Sequence, residues 1–342
     1  MRLEVQPMAL ALREPLRFAW GVLDERALLR VRLVAADGTE GHGEAAPLEP
    51  YDGVPLAAVR AALDAYIEVL AGLTEAHPPE AVLDACRAER DLPQALSAVD
   101  LALWDLVGRR SGRPVAQLIS VEAARSIPVN AVVDARDRAG AAAAAAAAAQ
   151  DGFDTLKLKV GVGDDAGRLG AVRAAVGRGV AIRLDANGSW DVQEAVANLR
   201  SLAPVGIELA EEPVHGVEAL RAVRAEVDVP LAMDETAADA DAAGSGATDA
   251  VCLKVARCGG ISGVLRDAAA ARAGGSVPYL ASTFDGPIGI AAAVHAAAGL
   301  AAGGPMPAHG LATLDAFAEP GERLRAVRGA IRVPREPGLG VP

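Results

Sequence analysis

The pattern of hydrophobic and polar positions changes about a third of the way along the chain. In the first part, residues 28–34 alternate well enough to predict a β-strand, and Asp37-Gly38 is a typical hairpin turn. Residues 39–44 follow the turn as a candidate partner strand. Apolar residues then recur at helical spacing in three segments: 56–70, 79–90 and 95–109. This order of elements predicts an α+β domain.

From about residue 127 onward, short apolar segments alternate with alanine-rich helical segments. The predicted strands are residues 127–133, 155–160, 181–185, 206–211, 231–234, 250–254 and 279–282. Their spacing is that of repeated strand–helix units, and seven or eight such units close a parallel barrel. The chain is therefore predicted to be of the α/β class, with a TIM-like (β/α)7-8 barrel after an N-terminal α+β domain.

The local amino-acid composition predicts where the domains begin and end. The segment Gly112-Arg113-Pro114 ends the helical part of the first domain, so we assign residues 1–115 to that domain and 116–314 to the barrel. The tail, residues 315–342, is rich in proline and glycine. We expect this tail to pack back on the first domain.

Two alanine-rich runs and the N-terminus need separate interpretation. Residues 141–149 lie between two predicted strands and are interpreted as the first barrel helix. The run 286–304 is mostly alanine and glycine, which favours a buried helix over a membrane span. Polar residues interrupt the first 18 positions, so no signal peptide is expected.

Composition and charge narrow the classes of function. Of the 342 residues, 52% are hydrophobic, which is enough to bury a large core. The net charge of −12 makes a general nucleic-acid or anionic-membrane surface unexpected. The three cysteines contain no Cys-x-x-Cys pair, so neither a disulfide framework nor a thiolate zinc site is expected. A cytoplasmic protein with a small-molecule ligand fits these features.

Charged residues follow the predicted barrel strands at their carboxyl ends, where barrel enzymes carry their active sites. In chain order these are Lys157, Lys159, Asp185, Glu211, Glu212, Asp234, Glu235 and Lys254. Carboxylates from three successive strands that meet at one mouth would repel each other strongly unless a cation lay between them. Oxygen ligands favour Mg²⁺ over Zn²⁺. The sequence thus predicts a Mg²⁺ site, with Mn²⁺ as a substitute.

Lysines lie on both flanks of these carboxylates. Because side chains alternate along a strand, Lys157 and Lys159 both point into the barrel. A lysine acts as a base only when its pKa falls, which a neighbouring cation promotes. Lys159 and Lys254 are therefore the candidate acid–base residues, with Lys157 in support.

Each of these features also has a simpler structural explanation. A single carboxylate at a strand end is commonly a helix N-cap, and an isolated Lys-x-Lys is commonly part of a solvated strand. Their ordered recurrence at barrel spacing favours a catalytic site. Glu212 and Glu235 are the exceptions and are interpreted as supporting or capping groups, while Cys252 and Cys258 are interpreted as packing residues. Four histidines are also candidate metal ligands by residue type, but their spacing in the sequence is not that of a metal site: His42, His215, His295 and His309.

The motifs LKLKVG, DANGSW, EEP, MDE and CLK, in this order, resemble the enolase superfamily and, within it, the muconate-lactonizing subgroup. The segments REPLRFAWG and GHGEAAPLEPYDG are similar to the capping domain of this family, whose loops close the active site. The resemblance implies an N-terminal α+β capping domain over the barrel. It also implies an enzyme that removes a proton α to a carboxylate through an enediolate, with Mg²⁺ as cofactor.

The resemblance assigns roles to individual positions. It implies that three carboxylates are metal ligands: Asp185, Glu211 and Asp234. Glu211 is chosen over Glu212 because subgroup members often carry Gln at the second position. Lys159 matches the base on one face of the substrate, and Lys254 matches the acid, base or charge stabiliser on the other. Three residues are expected to support them: Lys157, Asn187 and Glu235.

Weaker similarities bear on the substrate. IPVNAVV and HGLAT resemble o-succinylbenzoate synthases, which dehydrate 2-succinyl-6-hydroxycyclohexadiene carboxylate in menaquinone synthesis, so this lyase activity is predicted first. STFDGPIGIAAAVH is similar to muconate cycloisomerases, with Asp285 in place of their usual Glu. Thr313-Leu314-Asp315 supplies only half of the Asp-x-Asp pair with which dipeptide epimerases hold a substrate ammonium. A cycloisomerase, or a racemase or epimerase of N-acyl amino acids or dipeptides, is the alternative.

The expected partner is a small-molecule carboxylate, without nucleic acid or membrane, and a homo-oligomer is compatible with the sequence. The predicted substrate contacts are Phe18, Trp20, Ser282, Thr283 and Asp285. A non-catalytic, metal-dependent binding protein is a remote alternative. It is disfavoured because binding alone has no use for lysines on two flanks of the metal site.

Overall fold

A computed structural model of the chain describes residues 1–18, 21–74, 77–301, 306–319 and 322–341. An antiparallel sheet and its helices form the N-terminal part, and a parallel sheet curled into a barrel forms most of the remainder. The predicted fold class is confirmed. Across the described ranges, every helix is too short or too polar to span a lipid bilayer.

The N-terminal sheet is built on a long hairpin. Strand β1 (Arg2–Phe18) pairs antiparallel with β2 (Gly21–Val34), and β2 pairs with β3 (Glu40–Ala45) across the predicted Asp37-Gly38 turn. The sequence pattern predicted β2 and β3 but missed β1. Because β1 lies at the edge of the sheet, it tolerates Pro7 and an irregular pattern of side chains.

Helices cover one face of this sheet. They are α1 (Glu49–Asp52), α2 (Leu56–Ala71), α3 (Pro79–Glu89), α4 (Pro93–Ser111) and α5 (Val115–Ile119). β3 and α4 lie close together, because a Cβ atom at Gly41 or Gly43 would collide with the carbonyl oxygens of Ala102 and Ala98. The two glycines of the GHGE segment therefore let the sheet lie directly on α4.

The barrel begins after β4 (Ser126–Pro128). Among the described residues, seven parallel strands follow one another around the sheet in chain order. They are β5 (Ala131–Val133), β6 (Thr155–Lys159), β7 (Ala181–Asp185), β8 (Leu209–Glu211), β9 (Leu231–Met233), β10 (Ala250–Leu253) and β11 (Val277–Leu280). Each lies within or next to a segment that the apolar pattern predicted.

The remaining gap in the barrel is filled by residues 308–311. The backbone N–H of Asn130 donates to the carbonyl of His309 at 3.0 Å on one side, and the N–H of Gly310 donates to the carbonyl of Leu280 at 2.8 Å on the other. This segment therefore holds the eighth position of the ring, between β5 and β11.

Helices surround the barrel. They are α6 (Arg138–Gln150), α7 (Asp165–Val176), α8 (Val192–Leu202), α9 (Val217–Arg224), α10 (Val255–Cys258), α11 (Ile261–Ala273) and α12 (Pro287–Leu300). Aspartate N-caps start three of them, at Asp137, Asp164 and Asp191. Between β9 and β10 the connection contains two 3-10 helices, Glu235–Ala238 and Ala242–Gly244. Helix α12 is almost entirely buried, which explains its apolar composition.

The C-terminal tail contacts both parts of the molecule. Strand β12 (Ala330–Arg332) pairs antiparallel with β4, while the N–H of Ala318 donates to the carbonyl of Ala11 in β1 at 2.9 Å. The N–H of Val115 donates to the carbonyl of Gly338 at 2.9 Å. The domain limits 1–115, 116–314 and 315–342 stay predictions.

Two buried carboxylates of the N-terminal domain cap barrel helices. Glu44 accepts a hydrogen bond of 2.7 Å from the N–H of Gly286 at the start of α12, and Asp100 accepts one of 3.1 Å from the N–H of Ser262 at the start of α11. Burial, together with the nearby Asp285 carboxylate, raises the pKa of Glu44 to about 7. Burial likewise raises the pKa of Asp100 to about 6.

The raised pKa of Glu44 predicts that stability falls as the pH rises. The unfolded chain releases the Glu44 proton near its ordinary pKa of 4.5, whereas the folded chain holds it until about 7. Ionisation therefore costs the folded state about 3 kcal/mol between about pH 5 and about pH 8. Urea unfolding at both pH values should show this loss in the natural protein and a smaller loss in Glu44→Gln.

The control is Glu218→Gln, because Glu218 is exposed and pairs with Arg221 at the protein surface. This variant should keep the full pH dependence. An equal pH dependence in Glu44→Gln and in the natural protein would contradict the assignment.

Candidate active site

The register of the barrel strands brings the predicted residues to one end of the barrel. Lys159 at the end of β6 is the Cα partner of Asp185 in β7, and Asp185 is the partner of Glu211 in β8. Asp234 directly follows β9, and Lys254 directly follows β10. The charged side chains therefore converge at the carboxyl ends of five consecutive strands.

Lys157 links two of the carboxylates. Its Nζ lies 2.8 Å from Asp185 Oδ2 and 2.8 Å from Glu211 Oε1. Burial lowers the pKa of Lys157, but the Asp185 and Glu211 carboxylates outweigh burial and raise this pKa well above its usual value. Lys157 therefore stays charged and holds the two acidic side chains together.

Lys254 and Asp234 form a buried ion pair with Tyr51. Lys254 Nζ donates to the Tyr51 hydroxyl at 2.9 Å, and that hydroxyl donates to Asp234 Oδ2 at 3.1 Å. Burial lowers the pKa of Lys254, but the Asp234 carboxylate and the other acidic groups around it together outweigh burial and raise this pKa well above the usual value. Tyr51 comes from α1 of the N-terminal domain, so both domains build this part of the site. Sequence reasoning missed Tyr51, although it lies in the quoted segment GHGEAAPLEPYDG.

Glu211 is held from a second direction by Tyr279. The Tyr279 hydroxyl donates to Glu211 Oε2 at 2.8 Å, and the Arg183 guanidinium lies 5.2 Å from the centre of the Tyr279 ring. Burial raises the pKa of Glu211 to about 8. The Asp185 and Asp234 charges also raise this pKa, whereas the Lys157 charge lowers it. An additional cation at this point would therefore be favourable. Tyr279 was not predicted as a site residue, because nothing in its own strand distinguishes it.

The donor chemistry of this cluster fits a hard divalent cation. Ligand atoms of Glu211, Asp234 and Cys252 lie within 4.8 Å of one another, and Asp185 joins Glu211 through Lys157. Burial raises the pKa of the Cys252 thiol well above its usual value, and a thiol is a softer ligand than the carboxylates beside it. Carboxylate oxygens are then the anionic donors, as Mg²⁺ and Mn²⁺ prefer.

Lys159 differs from the other two lysines. Its side chain is half-buried, and within the described ranges its Nζ has no hydrogen-bond or ion-pair partner. Strand β6 holds the second of the eight positions in the ring and β10 holds the sixth. Lys159 and Lys254 therefore approach the mouth from opposite walls of the barrel.

The lysine content of the chain adds a signal that the motif analysis missed. Among 33 basic residues the sequence contains three lysines, which are Lys157, Lys159 and Lys254. All other basic residues are arginines, which do not lose their proton in proteins. Lysine is thus confined to the positions where proton transfer or charge at the barrel mouth is expected.

Glu212 and Glu235 lie beside the predicted ligands and have different surroundings. Glu212 accepts hydrogen bonds from the N–H groups of Asp234 at 2.7 Å and Thr236 at 3.0 Å, and thereby fixes the turn after β9. Glu235 accepts from Asn187 Nδ2 at 3.1 Å, which joins the turns after β7 and β9. The supporting roles of Asn187 and Glu235 stay predictions.

The predicted substrate contacts fall into two groups. Ser282 Oγ and Thr313 Oγ1 lie 2.8 Å apart, and Thr283 Oγ1 donates to Asp285 Oδ1 at 3.3 Å. Asp285 is buried, with Glu44 and Arg26 as charged neighbours. The side chain of Phe18 and the whole of Trp20 fall outside the described residues. The role of each as a substrate contact stays a prediction.

A cavity of about 610 Å³ lies next to Lys254. Asp234 and Cys252 of the barrel line it together with Arg87 and Asp91 of the N-terminal domain. Residues of the two 3-10 helices between β9 and β10 also line this cavity. Lys254 is therefore near open space although its side chain is buried.

Family comparisons cover both parts of the chain. Residues 2–120 match the family described as Mandelate racemase / muconate lactonizing enzyme, N-terminal domain. Residues 140–342 match the family described as Enolase C-terminal domain-like.

Curated relatives include isomerases of two kinds. The hydrophobic dipeptide epimerase of Enterococcus faecalis is 30% identical over 275 residues, which are 78% of this chain and 77% of that protein. Muconate cycloisomerase 1 of Rhodococcus opacus is 30% identical over 351 aligned positions, covering 96% of this chain and 91% of the relative. An isomerase is thus a closer match than the lyase that the sequence motifs favoured.

Solved structures agree with these relatives over nearly the whole chain. The N-succinyl Arg/Lys racemase from Bacillus cereus superposes with a TM-score of 0.91 at 26% identity, covering 99% of this chain and 94% of that one. The dipeptide epimerase from Enterococcus faecalis, complexed with Mg and the dipeptide L-Leu-L-Tyr, has a TM-score of 0.89 at 26% identity and covers 99% and 98%. The sequence matches and the shared fold together show that this chain belongs to the enolase superfamily, in its muconate-lactonizing subgroup.

Proposed function

We propose that the protein is an isomerase that inverts the carbon α to a carboxylate, with an N-acylated hydrophobic amino acid as substrate. The relatives named above include a dipeptide epimerase and a racemase, and both names denote inversion of a stereocentre. The o-succinylbenzoate synthase activity predicted from the motifs is kept as the second candidate.

The observation that carries the proposal is the placement of Lys159 and Lys254 on opposite walls of the barrel. Inversion requires one group to remove the α-proton from one face and another to deliver a proton to the opposite face. Lys159 would accept the α-proton at Nζ, while the charged Lys254 would donate a proton from Nζ. The two lysines exchange roles in the reverse reaction, so protons balance in both directions.

Asp185, Glu211 and Asp234 would hold the divalent cation, Mg²⁺ or Mn²⁺. When bound, the cation supplies positive charge that offsets the negative charge developing on the substrate carboxylate. Lys157 remains charged between Asp185 and Glu211 and would donate N–H groups to the same carboxylate. Tyr51 and Tyr279 would keep Asp234 and Glu211 oriented toward the site.

The last barrel segments favour a neutral acylamide over a free ammonium group. Asp315 Oδ1 lies 2.7 Å from Arg325 Nε, so its carboxylate is already paired. Thr313, two positions earlier, offers a hydroxyl that contacts Ser282. Neutral hydroxyls suit an amide N–H or C=O, whereas an ammonium would need an anionic partner.

Val132 favours an apolar substrate side chain. It is the Cα partner of Lys157, so it shares the inward face of the barrel wall, and 61% of its surface is exposed. An exposed valine beside a catalytic mouth gains from burial against an apolar group of the substrate.

One observation supports the synthase as the second candidate. Asn130 and His309, from the IPVNAVV and HGLAT motifs, meet where the barrel closes, and each has a buried polar atom without a hydrogen-bond partner in the described part of the chain. In dehydration, Lys159 would take the α-proton and Lys254 would protonate the departing hydroxyl, which leaves as water.

The first test concerns the lysines. Lys159→Arg and Lys254→Arg keep a positive charge but cannot transfer a proton, so each should lower kcat by about 100- to 10,000-fold. Lys157→Arg keeps the charge between Asp185 and Glu211 and should retain more activity than either. Circular dichroism confirms that each variant is folded. Natural turnover in Lys159→Arg would disprove its role as base.

The second test concerns the metal site. Tyr279→Phe removes the hydrogen bond to Glu211 Oε2 and should weaken Mg²⁺ binding by about 10- to 100-fold, as measured by titration calorimetry. Asp185→Asn should weaken it more. Tyr66→Phe is the matched control, because the Tyr66 hydroxyl donates to the carbonyl of Arg90 within the N-terminal domain and not to a predicted metal ligand. Equal affinities in Tyr279→Phe and Tyr66→Phe would rule out the assigned role of Tyr279.

The third test identifies the substrate by α-deuterium incorporation in D₂O with Mg²⁺ present. N-acetyl and N-succinyl derivatives of leucine and phenylalanine should exchange faster than the matching dipeptides, because Asp315 is paired with Arg325. Faster exchange of the dipeptides would contradict the acylamide proposal. cis,cis-Muconate and 2-succinyl-6-hydroxycyclohexadiene carboxylate are the other two test substrates. Loss of diene absorbance from the cyclohexadiene carboxylate would favour the synthase.

A further inference from the structure

Arg26 joins segments from three parts of the chain. It lies in β2 and is 2% exposed. Its Nε donates to the carbonyl of Phe284 at 3.1 Å, Nη1 to that of Pro47 at 2.9 Å and Nη2 to that of Ala46 at 3.0 Å. One guanidinium therefore spans the long hairpin, the segment before α1 and the loop between β11 and α12.

Each of the three segments that Arg26 joins contains or adjoins a residue of the candidate active site. Ala46 and Pro47 lead directly into α1, which places Tyr51 against Lys254 and Asp234. Phe284 belongs to the loop that also carries Ser282. β2 itself begins at Gly21, which directly follows the predicted contacts Phe18 and Trp20 in the sequence.

Only an arginine can make this junction. Its planar fork presents N–H groups in three fixed directions, whereas a lysine ammonium on a flexible stem cannot reach three carbonyls on separate segments at once. The carbonyl bound by Nε belongs to a strained residue, because Phe284 has a left-handed φ of 58°. The loop thus depends on outside contacts to keep this conformation.

Two buried carboxylates partly offset the cost of burying the Arg26 charge, although burial still lowers the pKa of Arg26. Asp285 and Glu44 both act on the Arg26 charge, although neither forms a direct ion pair with it in the described structure. Glu44 Oε1 binds the N–H of Gly286, so the loop after β11 is held at both Phe284 and Gly286. The two anchor points enclose Asp285, which explains why this predicted substrate contact is buried.

We infer that Arg26 is a positioning residue for the proposed reaction, which fixes the loop 282–286 and the segment 46–51 against the hairpin. In this role it sets the shape of the subsite formed by Ser282 and Thr313 without touching the substrate. The inference rests on the proposed function for its kinetic consequence, but the structural coupling is measurable without any substrate.

Hydrogen exchange followed by mass spectrometry tests the coupling. Arg26→Met removes the three hydrogen bonds and keeps much of the side-chain volume, so amides of residues 282–286 and 46–51 should exchange about 10-fold faster. Amides of β7, at the far side of the barrel, should keep their natural rates. Arg32→Met is the matched control on the same strand, because Arg32 pairs with Glu4 and Glu40 away from the barrel.

The kinetic measurement separates positioning from a purely structural role. With the substrate found in D₂O, Arg26→Met should raise KM by about 10-fold and lower kcat and Mg²⁺ affinity by a smaller factor, because Tyr51 lies on the loosened segment whereas the lysines and metal ligands lie on the barrel strands. Arg26→Lys should recover little of this loss. Guanidinium ion added to Arg26→Ala should lower KM, which it would not do in Arg32→Ala.

Two outcomes would overturn the inference. One is natural exchange in both segments of Arg26→Met. The other is equal acceleration throughout the barrel, which would mean that Arg26 only stabilises the fold. Failure of the proposed function would look different, because all substrates in the panel would then remain unchanged while the local exchange effect persisted.

Discussion

Charge neutralisation at the barrel mouth is the constraint on which the site depends. Three carboxylates from successive strands are buried together, and burying like charges is unfavourable unless each finds a positive partner. Lys157 between Asp185 and Glu211, and Lys254 against Asp234, provide these partners. The same charges that would bind a cation and a substrate carboxylate therefore also decide which conformations of the mouth are stable.

The junction between the two domains provides hydrogen-bond partners for a second set of buried polar groups. Barrel helices α11 and α12 begin at the domain boundary, where their free N–H groups would be buried without partners. Asp100 and Glu44 of the N-terminal domain accept from these groups, and Arg26 satisfies carbonyls of the facing loops. Because Tyr51 reaches Lys254 across the same boundary, the electrostatics of the site require both domains in place.

The sequence predicted most of the barrel and the charged residues at its mouth, because strand periodicity and strand-end position follow from local order. It did not reveal β1, since an edge strand needs no regular alternation. It also missed Tyr51, Tyr279 and Arg26. Their roles come from contacts with residues far away in the chain, and no local pattern records such contacts. Asp285 was recognised as special, but its charged neighbours Glu44 and Arg26 became visible only in the folded chain.

The restriction of lysine to three positions has a chemical reason. Among the described residues, arginine forms ion pairs at the surface where a lysine could otherwise serve, but a guanidinium does not give up its proton. A site that must gain and lose a proton therefore cannot use arginine in place of lysine. As a result, a protein grown with isotopically labelled lysine would give three side-chain NMR signals, and all of them would report on the barrel mouth.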